Sequence, residues 1–136
     1  IEILPRLAGT GWAGIIERNR ALARRGRDIL ADRLGLERPY ADDLLGPLAT
    51  LELPRVPEPD RDRLAARPTR FADALQDALL DRHGIQVPVW RSADQVAPGP
   101  FDGRRSIRLS AQLYNTEAQY DYLADALAVE LGRERA

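Results

Sequence analysis

The chain has 136 residues, 44 % hydrophobic and 30 % charged, with a formal net charge of −1, a composition suited to one soluble domain around a single core. It contains no cysteine, one histidine (His83), and twenty arginines without any lysine. Disulfides, zinc–thiolate centres, iron–sulfur clusters, thiol catalysis, multi-histidine metal sites, side-chain Schiff bases and lysine-bearing P-loops are therefore excluded.

The chain opens Ile1-Glu2-Ile3, and no methionine occurs anywhere, so the expectation is a piece of a longer protein. There is no membrane-length apolar run and no signal-peptide pattern, so the expected location is the cytoplasm. The first helix is marked by Trp12, Ile15, Ile16, Asn19, Leu22, Ala23, Gly26, Ile29 and Leu30, which recur at helical spacing on one face. Thr10 is placed to cap it and Gly35 to stop it. Asn19 is polar within that stripe, which suits either a buried amide tying down a neighbour or a contact with another domain or ligand. Gly26 costs about 1 kcal/mol against alanine in a helix interior, so its expected use is close approach of a packed element.

Pro47 to Pro54 reads as a short strand bracketed by prolines, and Pro54 to Pro68 as a solvated connection. Thr69 is the expected cap of a second helix, with Phe71, Ala74, Leu75, Ala78 and Leu79 inward and Gly84 beyond its end. Ile85, Val87 and Val89 alternate as a strand, and Pro88 within it predicts an edge strand or the end of pairing. A loop with Pro98-Gly99-Pro100 and Asp102-Gly103 leads to a strand over Arg105–Ala111. There Ile107, Leu109 and Ala111 face one way, and Ser106, Arg108 and Ser110 the other. Thr116 and Gln119 form a capping box for a last helix, whose buried stripe is Tyr120, Leu123, Ala124, Leu127 and Leu131. The order α-β-α-β-β-α predicts an α+β two-layer sandwich, with about three mainly antiparallel strands covered by helices.

Few residues can carry chemistry. His83 follows a helix, where a cationic side chain interacts favourably with the dipole, and no nucleophile motif accompanies it; a structural role is expected. Six arginines between Arg18 and Arg33 could meet phosphates. Acidic residues are interleaved with basic ones, and the strands lack the exposed aromatics of an RNA-binding sheet, so a solvated helix face is expected and no nucleic-acid partner. Arg108 stands on the polar strand face among small hydroxyl residues. Periodicity alone allows a plain surface arginine or a grip on a carboxylate through two parallel hydrogen bonds.

The run Arg108-Leu109-Ser110-Ala111-Gln112 with Tyr114-Asn115-Thr116 resembles the C-terminal signature of class V aminotransferase-like, pyridoxal-phosphate-dependent enzymes of fold type I. It looks closest to the isopenicillin N epimerase-like branch, related to cysteine desulfurases. Gly11-Trp12, Arg18 to Ala23, and Gly84 to Val89 agree with it in the same order. The resemblance implies that residues 1–136 are the C-terminal small domain of such an enzyme. A large domain outside this chain would bind pyridoxal phosphate through a lysine, and the parent would be a homodimer. Arg108 would hold the α-carboxylate of a small amino-acid substrate, with Asn19, Tyr114 and Asn115 as possible supporting residues. Asn115 would fix the turn and Tyr114 would pack beneath it. The chain alone would bind no cofactor or metal and be inactive, and residues elsewhere would decide between epimerisation, elimination, desulfuration and transamination. The alternative from another class is a free-standing α+β ligand- or protein-binding module.

Overall fold

The computed structural model describes residues 3, 6, 9–91 and 100–136. Among the described residues, four α-helices of two turns or more, α1 (Gly11–Leu34), α2 (Glu58–Ala65), α3 (Ala74–His83) and α4 (Glu117–Arg135), accompany three strands, β1 (Leu48–Glu52), β2 (Val89–Arg91) and β3 (Arg105–Ser110). The strands form one antiparallel sheet in the order β1-β3-β2, so β3 is central. This is the α+β architecture that the periodicity predicts.

Alternation along the strands sorts the sheet into two unlike faces. Ala49, Leu51, Val89, Ile107 and Leu109 are buried on the inner face, with Leu51 and Val89 flanking Ile107 in register. α1 and α4 pack together and close that face, contributing Leu30, Tyr120, Leu123 and Leu127 to the core. The outer face carries Thr50 opposite Arg108 and Leu48 opposite Ser110. No described element covers it.

Local signals explain the element ends. Gly35 and Gly84 close α1 and α3 in the left-handed conformation, at φ of 65° and 66°, which glycine adopts without a Cβ penalty. The Gln119 side chain accepts the Thr116 N–H at 3.1 Å, the return half of the capping box. Gly26 serves the close approach expected of it, since a Cβ there would lie 2.9 Å from Cδ1 and Cγ of the Tyr120 ring. The strand expected from Ile85 begins only at Val89, so Pro88 sits just ahead of the edge strand β2 rather than within it, and its carbonyl accepts the Arg108 N–H at 3.2 Å.

The structure corrects several expectations. The stretch from Pro54 to Pro68 is not wholly a connection, because α2 forms within it and the order becomes α-β-α-α-β-β-α. Proline is harmless in a first helical turn, where its missing N–H would be unpaired anyway, and Pro59 sits there. The cap of α3 is Asp73, whose carboxylate accepts the Leu75 N–H at 2.9 Å; Thr69 instead binds Phe71 and Asp77, and Phe71 lies at the surface. Trp12 and Ile16 are 47 % and 55 % exposed, since the first turns of α1 run beyond the core. Arg27, on the expected polar face, is buried against Asp28 and Asp42. Pro98 and Gly99 of the expected loop lie outside the described residues.

Candidate functional site

Arg108 projects from the middle of the central strand on the uncovered sheet face. Its guanidinium carbon lies 6.0 Å from the centroid of the Trp90 ring, within reach of cation–π attraction. Among the described residues the guanidinium makes no hydrogen bond or ion pair. The arginine is thus braced by an aromatic face while its N–H donors remain available.

Beside it a cleft opens between the 84–88 stretch entering β2 and the turn joining β3 to α4. Arg108, Tyr114 and Asn115, three of the four residues singled out from the sequence, line this one cleft. Asn115 organises the turn: its Oδ1 accepts the Gln112 N–H at 2.9 Å, and its Nδ2 donates to Gln119 Oε1 at 3.0 Å. Tyr114 does not pack beneath the turn but stands 78 % exposed on its rim, because the core below is already filled by Tyr120 and Leu123. Asn19 does not reach the cleft wall. It is buried in α1, its Nδ2 lies 3.5 Å from Gln112 Oε1, and its Oδ1 has no partner among the described residues. Its link to Arg108 is indirect, through the turn.

No model of a known protein family matches the chain. The chain is similar to isopenicillin N epimerase of Amycolatopsis lactamdurans, at 33 % identity over 122 residues. That match takes in 88 % of this chain but 25 % of the epimerase, so the chain spans about a quarter of its relative's length.

The remaining charges are largely committed to the fold. Of the helix arginines, Arg24 pairs with Glu17, Arg25 with Glu117, Arg27 with Asp28 and Asp42, and Arg33 with Asp125. Arg18 and Arg20 donate to the carbonyls of Leu113 and Leu45. A row spent this way is a poor phosphate ladder. Among the described residues there is no group of acidic or histidine side chains able to hold a metal, and no helix long and apolar enough to cross a membrane.

Three buried carboxylates, Glu134, Asp73 and Glu130, have partners that the sequence pattern did not reveal. Glu134 lies against Arg105 and Arg67, and Asp73 against Arg105 and Arg91. The signal was present in the phase: Arg105 has the parity of Ile107 and Leu109, and Glu134 continues the Leu127–Leu131 stripe. Glu130 lies against His83 at 2.9 Å and against Arg82 and Arg133, which gives His83 a structural partner. Burial pushes the Glu130 carboxyl up, but the His83 hydrogen bond and the Arg82 and Arg133 charges outweigh it and hold it below its ordinary 4.5. A carboxyl with a lowered folded-state pKa adds stability that is complete above the unfolded value and lost as pH falls through the folded one. The melting temperature should therefore decline as pH drops below 4.5, and Glu130→Gln should flatten that decline. Melting curves from about pH 6 to about pH 3 check this, and equal acid slopes for the two proteins would contradict it.

Proposed function

We propose that this chain is the substrate-carboxylate-binding small domain of a pyridoxal-phosphate-dependent amino-acid enzyme of the isopenicillin N epimerase-like kind. The observation that carries the proposal is Arg108: an exposed guanidinium with free donors, braced on Trp90 at the side of a cleft. A planar fork of N–H donors matches a carboxylate through two parallel bonds, which fixes the orientation of the acid as well as its position. The similarity to part of an epimerase supports the same reading, as does the Arg-x-Ser…Tyr-Asn-Thr order of the residues around the cleft.

Pyridoxal phosphate does not fit the residues of this chain. Its covalent attachment needs a lysine amine, which the sequence lacks, and among the described residues Arg108 is the one charged residue lining the cleft, with no carboxylate there for a pyridine nitrogen. The cofactor belongs to the large domain of the proposed enzyme, and the part of this chain is to hold the substrate. Arg108 supplies charge and two donors, Trp90 limits where the guanidinium can swing, and Asn115 keeps the turn at the cleft wall in shape. Holding one end of the amino acid rigidly lowers the entropic cost of presenting its α-carbon to a catalytic group.

In the full-length enzyme, Arg108→Ala should raise KM for the amino acid by about tenfold to a hundredfold, because losing a charged hydrogen-bonded partner costs about 1.5–3 kcal/mol. Cofactor content should be unchanged. Steady-state kinetics and cofactor absorbance read the two quantities separately, and an unaltered KM would remove the carboxylate assignment.

A further inference from the structure

Four of the polar side chains on the cleft wall, Asn115, Gln119, Tyr120 and Tyr122, are spent on the protein itself, which leaves the neutral Gln86, Ser110 and Tyr114 beside Arg108. The Tyr120 hydroxyl donates to the Ser110 carbonyl at 2.8 Å and the Tyr122 hydroxyl to the His83 carbonyl at 3.2 Å. Asn115 and Gln119 are bound to each other and to the backbone of the turn. What Tyr120 and Tyr122 leave to the cleft is therefore ring carbon, and Ile85, Val87, Pro88 and Leu123 add more of it. Tyr114 stands on the rim with its ring exposed. Among the described residues Arg108 is the one charged residue in the lining.

We propose that this cleft takes a monocarboxylic acid with a bulky, uncharged, aromatic or branched apolar side chain, the acid group on Arg108 and the side chain along the tyrosine wall. The proposal rests on the reading of Arg108 as a carboxylate ligand and adds the class of side chain. Apolar binding sites typically combine hydrophobic and aromatic walls with a few placed polar groups, and this lining has that division. Among the described residues of the lining, a second negative charge on the ligand would find no second cation, and a positive charge would find no carboxylate and would face Arg108. A short acid such as acetate would leave the ring carbon exposed to water.

The test uses isotope-labelled chain, followed by backbone amide resonances during titration with acetate, glutarate, 3-phenylpropionate and 3-phenylpropionamide. 3-Phenylpropionate should bind at least about tenfold more tightly than acetate or glutarate, in line with the value of filling an apolar pocket. Tyr114→Ala and Tyr122→Ala should each erode that preference while leaving acetate binding as it was. Arg108→Gln should weaken all three carboxylates alike, with amide dispersion showing that the variant is folded. 3-Phenylpropionamide should bind as weakly as the carboxylates do to that variant. If acetate and 3-phenylpropionate bind equally and both depend on Arg108, the side-chain class is wrong and the carboxylate role stands. If 3-phenylpropionate binds to Arg108→Gln as to the unaltered chain, the carboxylate role fails. If glutarate binds more tightly than 3-phenylpropionate, the cleft prefers a charged side chain and the proposal is overturned. Loss of all binding would overturn both readings.

Discussion

Glu134→Gln is expected to destabilise the protein by about 3 kcal/mol, the lower end of what breaking a buried ion pair costs. The two carboxylate oxygens of Glu134 take Arg105 at 3.1 Å and 2.6 Å, and Arg67 adds a third contact at 3.0 Å. Arg105 is 2 % exposed, so its charge has no water to turn to once Glu134 is neutral. Burial alone would push the Arg105 guanidinium toward losing its proton, but Glu134 and Asp73 more than offset that and hold it charged. Its Nε already lacks a partner among the described residues, so the variant adds to an existing deficit. Asp73, 3.3 Å from Arg105, keeps the loss from reaching the upper end of the range. In thermal unfolding the shift should be about 10 °C downward, given the usual size of transition entropies for domains of this class. A change of less than about 2 °C would mean that Arg105 is solvated or differently paired.

Ile107→Ala is expected to cost about 2–5 kcal/mol, and Ile107→Val about 0.5–1.5 kcal/mol. Ile107 is fully buried at the centre of the sheet, in register with Leu51 on one side and Val89 on the other. Both neighbours are fixed by the hydrogen-bonded ladders, and α1 and α4 close the space above, so the void left by truncation has little to collapse into. Denaturant unfolding should show a lower midpoint with an unchanged slope, and a slope change would mean that the unfolded ensemble was altered instead. A cost below about 1 kcal/mol would place the core elsewhere.

The parts of the fold legible in the sequence are those where one simple period dominates. α4 carries Tyr120, Leu123, Ala124, Leu127 and Leu131 at regular helical spacing, and all are buried. β3 alternates cleanly, and that alternation alone puts Arg108 on the face away from the helices. Gly26 and Pro88 were legible because each breaks a local rule that only close packing or an edge position satisfies. α2 was hidden because it buries Leu64 and little else, so it leaves no stripe, and its prolines read as breaks. The buried ionic cluster was hidden for a different reason. A charged residue in phase with apolar ones looks like an end to the pattern until the partner on another element is known, and Arg105 and Glu134 are far apart in sequence. Within the candidate site, the sequence pointed to Arg108, whereas the engaged hydroxyls of Tyr120 and Tyr122 depend on carbonyls that only folding brings near.

If this chain is the carboxylate-holding part of a larger enzyme, antibody capture from the cells that make it, followed by intact mass spectrometry, should return a much longer chain, with a lysine-bearing cofactor domain joined to these 136 residues. A product of 136 residues and no more would contradict that reading, and would make the Arg108 cleft the site of a free-standing binding module.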